Sequence, residues 1–243
     1  MNKTVLITGA SRGIGASIAR TFAADGYHLS LCCCHSEDAL QTLAEELTNE
    51  YHSDVMTFTG DVGDYTFVND MVEKTLLHFG HIDVLINNAG IAHIGLLSDM
   101  SIEEWNHIVA NNLTSVFSYC KCVIPQMVSR QSGKIINISS VWGNAGASCE
   151  AAYSACKGGI NSLTKALGKE LAPSNIQVNA IACGVIDTQM NACFSDEERV
   201  ALAEEIPAGR FGQPGEVAHL ALQLATGNEY LTSQIITLDG GWF

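Results

Sequence analysis

Short apolar runs alternate with segments of helical length from one end of this chain to the other. Residues 4–7, 27–34, 55–58, 82–86, 134–138, 177–182 and 235–238 read as strands, and residues 14–25, 37–50, 64–79, 101–128, 150–171 and 214–226 carry helical periodicity. Most folds are excluded by that rhythm. A strand, a helix and a second strand in succession close into a parallel βαβ unit, so the expectation is an α/β fold, a doubly wound sheet of parallel strands. Only 4 prolines occur in 243 residues, which agrees with a chain made mostly of central strands and helix interiors. No linker or repeat interrupts the pattern, so residues 1–243 read as one domain.

Composition narrows the function classes. The chain carries 12 Lys+Arg against 26 Asp+Glu, a formal charge of −14, which counts against nucleic-acid backbones and anionic membranes as partners. Charged residues make up 16%, below the roughly 25% of ordinary globular proteins, so much of the surface is expected in a core or between subunits. Nine cysteines invite a disulfide reading. The number is odd, Cys32, Cys33 and Cys34 are consecutive, and MNKTVLITG enters a strand-like run without a secretory segment, which predicts a reducing, cytoplasmic setting. The cysteines are then expected to pack in the core. Neither the cysteine nor the histidine spacing resembles a metal site, and no apolar run is long enough to span a membrane.

Residues 187–212, a long connection just past a strand's carboxyl end, break the rhythm and read as a lid over a ligand site. Ser195 and Glu198 fit a capping box, predicting a short helix over about 196–205 that turns Val200, Leu202 and Ile206 toward something apolar.

Chemistry enters at Thr8-Gly9-Ala10-Ser11-Arg12-Gly13-Ile14-Gly15, between the first strand and the first helix. Gly9 permits a tight turn, and Gly13 and Gly15 leave room for a pyrophosphate at the helix N-terminus, whose free N–H groups favour anions. Sites of this kind select NAD with a carboxylate at the end of the second strand. Here that strand ends Cys33-Cys34-His35-Ser36, and the first acid, Glu37, already lies in the next helix. Arg12, with His35 and Ser36 as lesser donors, favours the 2′-phosphate of NADP(H) over NADH.

The second constellation is Ser140, Tyr153 and Lys157. The Tyr-x-x-x-Lys spacing stacks both side chains on one helix face, and Ser140 falls at a strand's carboxyl end. A carbonyl that accepts hydride needs a proton donor at its oxygen. Tyr supplies the proton, a neighbouring Lys⁺ stabilises the phenolate, and the Ser hydroxyl holds the substrate oxygen. Chance would give such a combination only about 0.01 times in a chain of this composition.

On these motifs the chain resembles the short-chain dehydrogenase/reductase family along its whole length. Asn87-Asn88-Ala89-Gly90 is similar to the family's fourth-strand motif, and Asn112, in Asn111-Asn112-Leu113-Thr114, resembles its fourth catalytic residue, which holds a proton-relay water near the lysine. The resemblance implies a Rossmann sheet of seven parallel strands, a homotetramer, adenine contacts from Asp61 and Val62, a ribose contact from Asn88 within the Asn88-Ala89-Gly90 cofactor segment, and nicotinamide contacts from the segment Gly184, Ile186 and Thr188. Read without the family, Asn112 is equally a buried helix asparagine satisfied by backbone.

Cys183-Gly184 stands where the family usually has Pro-Gly, which makes the turn under the nicotinamide less preorganised and leaves Cys183 as a packed neutral thiol. Within the family the chain is most similar to bacterial 3-oxoacyl-acyl-carrier-protein reductases, implying NADPH-dependent reduction of a ketone. Those enzymes dock an acidic carrier on arginines beside the site, whereas the matching positions here are Gln131 and Ser174, with Arg130 nearby; a chain of −14 would repel such a partner. The segment 142–150 resembles instead a branch that reduces an aminopentanone group on modified elongation factor P. Trp142, Glu150 and Met190 are the expected substrate contacts; Glu150 either pairs with a substrate ammonium or stabilises a helix N-terminus. The reading from another class, a cofactor-binding regulator without turnover, expects loss of Ser, Tyr or Lys, which are all present. The apolar run 235–243, ending Gly-Gly-Trp-Phe, is expected to dock on the rest of the molecule.

Overall fold

The computed structural model describes residues 3–191 and 194–243. Seven parallel strands, β1 (Thr4–Ile7), β2 (His28–Cys33), β3 (Val55–Thr59), β4 (Val84–Asn87), β5 (Gly133–Ser140), β6 (Ile176–Cys183) and β7 (Ile235–Leu238), form one sheet in the order β3-β2-β1-β4-β5-β6-β7. The winding reverses between β1 and β4, the crevice where open α/β sheets bind ligands.

Alternation along each strand builds two cores. In β1, Val5 and Ile7 face the layer of α1 (Gly13–Ala24), α2 (Glu37–Tyr51) and α9 (Pro214–Thr226), while Leu6 faces that of α3 (Tyr65–Phe79), α5 (Ser115–Arg130) and α7 (Ala151–Leu171). All three side chains are fully buried. Each contributes roughly 1.5–3 kcal/mol relative to exposure, and a register slip of one residue would exchange the two faces. Burial on both faces explains why the strands read as continuous apolar runs.

The segment expected as one helix over 101–128 is divided. α4 (Ile102–Val109) begins at a Ser101–Glu104 capping box, a π-helical turn spans Ala110–Thr114, and α5 follows. Side chains compete there for main-chain carbonyls: Asn111 Nδ2 donates to His107 O (3.1 Å), Asn112 Nδ2 to Ile108 O (3.1 Å) and Ser115 Oγ to Asn111 O (2.6 Å). Pro125 lies inside α5, contrary to the expectation that helix interiors exclude it, on the exposed face where water can satisfy the carbonyl it strands. A short helical turn, α6 (Trp142–Ala145), follows β5 directly.

In the 187–212 connection, α8 (Asp196–Glu205) carries the reciprocal Ser195–Glu198 cap. Its base is closed by Asp187 N donating to Gly212 O (2.8 Å) and Gly212 N to Val185 O (2.9 Å). Ile206, just past the helix, is buried and Leu202 is partly so, but Val200 is 60% exposed, a correction to the expected apolar face; a helix this rich in acids buries none of its own residues. Among the cysteines, Cys32, Cys33, Cys120, Cys156 and Cys183 pack in the interior, whereas Cys34, one residue beyond β2, is exposed. Cys193 lies outside the described residues.

Candidate active site

The glycine turn sits over the carboxyl end of β1, pinned to its neighbours by Thr8 N donating to Ile86 O (3.1 Å) and Ala10 N to Cys32 O (2.9 Å). Gly9 takes φ +65°, and a Cβ there would come within 2.9 Å of the Ala89 Cα; a Cβ on Gly15 would collide with the Gly9 carbonyl oxygen. Only glycine lets α1 start this close to the turn. Arg12 holds the N-cap position without a side-chain cap, which leaves the first-turn N–H groups and the helix dipole directed at open space, the arrangement that receives a phosphate. Asn88 turns inward to brace the loop: its Nδ2 donates to Thr8 O (2.9 Å) and Gly9 O (3.0 Å), while Thr8 Oγ1 accepts from Asn88 N (3.0 Å) and Ala89 N (2.9 Å). The far wall comes from the 187–212 connection. Thr188 lies against Gly13, and Arg12 Nη1 donates to Gln189 Oε1 (3.1 Å).

Across the crevice, β5 ends at Ser140 and α7 presents Tyr153 and Lys157. Lys157 Nζ donates to Ile138 O (2.9 Å) and sits 5.4 Å from the Tyr153 ring centroid. Asn112 spans the π turn to the β4 loop: Nδ2 donates to Ile91 O (2.9 Å) and Oδ1 accepts from Ile91 N (3.0 Å). A Cβ on Gly90 would meet Asn112 Oδ1 at 2.6 Å and Lys157 Nζ at 3.6 Å, so asparagine and lysine face the same small gap. Asn112 is thus both a helix asparagine satisfied by backbone and a neighbour of the lysine.

Burial governs the electrostatics. It drives the Tyr153 hydroxyl well above the ordinary phenol value; Cys183 adds to the rise, the hydrogen bond with Ser140 opposes it, and Glu150 adds a little more. Burial lowers Lys157 from 10.5 to about 8, against the pull of Cys183 and Cys156. The Lys157 ammonium rests on the Ile138 carbonyl, behind a tyrosine whose hydroxyl burial keeps protonated. Cys183, beside Ser140 in the β5–β6 register, is raised by burial to about 12 and is a neutral packed thiol.

A family model for short chain dehydrogenases matches residues 3–199. The chain belongs to the short-chain dehydrogenase/reductase family. The 3-oxoacyl-[acyl-carrier-protein] reductase FabG of Chlamydia trachomatis is 41% identical over 99% of this chain and 97% of its own length, and the Bacillus subtilis oxidoreductase YmfI is 39% identical over 100% and 99%. Among solved structures, a single-residue variant of the actinorhodin polyketide ketoreductase with NADPH superposes with a TM-score of 0.94 at 35% identity, covering 99% of this chain and 97% of that one.

This short-chain dehydrogenase/reductase brings most of the expected residues to the crevice and uses several differently from expectation. Asp61 Oδ1 accepts from Gly63 N (2.8 Å) at the carboxyl end of β3, and Val62 packs in the core. His35 is exposed beyond β2, and Ile186 is buried at the base of the connection. Gly184 lies against Asp239, where a Cβ would come within 2.7 Å. Glu150 occupies the N-cap of α7 without capping it; burial raises its carboxyl, and no ion pair reaches it among the described residues. Met190 is half exposed in a short turn over 189–191. Gln131 and Ser174 are a correction: they precede β5 and β6, joined by Asn175 Nδ2 donating to Gln131 O (3.1 Å), and so lie at the opposite end of the sheet from Ser140. Arg130 there is paired with Asp83 at 2.9 Å. Within this protomer their lack of charge does not bear on the approach to Tyr153.

Two groups of residues were missed. Ser139 Oγ donates to Asn161 Oδ1 (2.6 Å) and Asn161 Nδ2 to Asn144 Oδ1 (2.9 Å); deeper, Asn87 Nδ2 donates to Asn137 Oδ1 (2.8 Å) and Asn137 Nδ2 to Thr164 Oγ1 (2.8 Å). These chains lock β5 to α7. Their signal was available, since Tyr153, Lys157, Asn161 and Thr164 recur at helical spacing opposite polar positions in an apolar strand. For the second group, Trp242 and Phe243, docking of the apolar terminus was expected but its place was not: both rings pack on Trp142.

Proposed function

We propose that the protein is an NADPH-dependent carbonyl reductase acting on a 3-oxoacyl thioester or a similar ketone. The observation that carries this reading is the convergence of Ser140 and Tyr153, with Lys157 behind them, at the carboxyl edge of the sheet that also holds the glycine cradle. The uncapped α1 N-terminus fits a pyrophosphate, Gly9 and Gly15 letting the turn close tightly beneath it, and Arg12, in the absence of a carboxylate at residues 34–36, fits a 2′-phosphate. When bound, the cofactor supplies the hydride.

The chain's own groups handle the oxygen. Ser140 Oγ, anchored by accepting from Trp142 N (3.2 Å), donates to the carbonyl oxygen and fixes its orientation. Tyr153, protonated at neutral pH because burial disfavours phenolate, gives its proton as negative charge develops on that oxygen; an alkoxide is far more basic than a phenolate, so the raised value still permits transfer. Lys157 and Asn112 hold the route by which the proton is replaced. The 187–212 connection acts as a lid, its Thr188 and Gln189 already on the glycine turn. Homotetrameric assembly and a cytoplasmic setting complete the reading.

One observation favours a second substrate: the half-buried, unpaired Glu150 near Tyr153 is suited to an ammonium on the ketone, as in an aminopentanone on modified elongation factor P. The test is NADPH oxidation with a 3-oxoacyl thioester, free and on carrier protein, and with the modified elongation factor. Tyr153→Phe should abolish turnover and leave NADPH binding intact. Normal turnover by that variant would refute the assignment, and NADPH binding with no reduction of any ketone would instead favour the non-catalytic regulator.

A further inference from the structure

After β7 the chain folds back on itself. The Asp239 carboxylate accepts from Gly241 N (2.9 Å) and Phe243 N (2.9 Å), and Gly240 and Gly241 take φ of +70° and +87°. The fold-back is braced from the 187–212 connection, since Ala208 N donates to Gly240 O (3.1 Å) and Gly240 packs on Ile206 and Ala208. It delivers two aromatic rings to a third from a distant segment. Trp142 meets Trp242 edge-on at 5.2 Å and Phe243 at 5.3 Å between centroids, and the two terminal rings are 4.8 Å apart. Trp142 is the residue whose N–H holds Ser140 Oγ. Three rings, none fully buried, are therefore anchored at the residue whose main chain holds the hydroxyl that orients the carbonyl.

We propose that Trp242 and Phe243, with Trp142, form an aromatic wall that holds the apolar chain of the substrate next to Ser140 and sets its preferred length. Edge-to-face rings leave apolar faces open to a methylene chain, and partly exposed aromatic clusters of this kind contribute most when a ligand covers them. Because the fold-back packs on Ile206 and Ala208, the wall is built onto the end of the 187–212 connection. The inference rests on the carbonyl-reductase reading for its substrate.

The experiment compares N-acetylcysteamine thioesters of 3-oxobutanoate and 3-oxooctanoate with the wild-type protein, Trp242→Ala and Trp242→Phe. The KM ratio of the short to the long thioester should fall about ten-fold in Trp242→Ala, the value of one aromatic contact, and recover most of the way in Trp242→Phe. A merely structural role would change kcat/KM for both lengths alike and leave the ratio unmoved, which would overturn the proposal. If wild type reduces neither thioester, the carbonyl-reductase reading fails. Tryptophan-fluorescence titration with NADP⁺ present then decides the wall: chain-length-dependent affinity that Trp242→Ala removes supports it, and length-independent binding, or none, overturns it.

Discussion

Lys157 offers the most exacting test of how the site is built. Its ammonium is buried on a single carbonyl, and burial lowers it from 10.5 to about 8, so confining the charge costs about 3 kcal/mol when the ammonium is fully protonated. The folded state binds fewer protons than the unfolded chain between pH 8 and 10.5, so this residue's contribution to stability rises with pH through that window and is flat and unfavourable below it. Lys157→Met removes the charge. It also removes the hydrogen bond to Ile138, but that loss does not vary with pH. Cys183, raised to about 12, stays neutral when folded across the range tested, and unfolded cysteines titrate alike in both proteins. The stability of wild type minus that of Lys157→Met should therefore rise by about 2 kcal/mol from about pH 6.5 to about pH 9.5, measured by urea unfolding at several pH values. A pH-independent difference would refute the argument that Lys157 is held against its own desolvation. In the same window, ketone reduction by wild type should decline as pH passes about 8, where Lys157 loses its proton.

Two further outcomes test the cradle. Gly15→Ala places a methyl against Gly9 O and 2.7 Å from Asn88 Nδ2; it should destabilise by about 1–3 kcal/mol and abolish the thermal shift caused by NADPH, and an unchanged melting temperature with normal cofactor binding would show that the turn relaxes freely. Arg12→Ala should raise the KM for NADPH by roughly ten- to a hundred-fold, the range of a charge-assisted hydrogen bond, with little effect on NADH. Equal effects on both cofactors, measured by steady-state kinetics, would remove Arg12 from 2′-phosphate recognition.

Local signals sufficed for much of this molecule. The strand–helix alternation announced a parallel sheet because burial on both faces forces continuous apolar runs, and α8 was visible in a cap whose two hydrogen bonds span only Ser195 to Glu198. The convergence of Ser140, Tyr153 and Lys157 was legible because a four-residue spacing puts the last two on one face of α7 and a strand end presents the first. The split of α4 from α5 was not, since Asn111, Asn112 and Ser115 read as ordinary helix residues until their side chains are seen bonding to carbonyls one turn back.

Periodicity, caps, the glycine turn and the Tyr-x-x-x-Lys face are short-range devices, each written within a few residues, and the amino-acid order was enough to show them. Everything that depends on which distant segments share a crevice emerged only in the folded chain. Folding placed Gln131 and Ser174 at the far end of the sheet and spent the Asn88 amide on the glycine turn. By burying both groups it also raised the proton affinity of Tyr153 and lowered that of Lys157. Trp242 and Phe243 came to rest on Trp142 because Asp239 and two glycines at positive φ turn the chain back at that point, a long-range packing contact that no spacing in the sequence encodes.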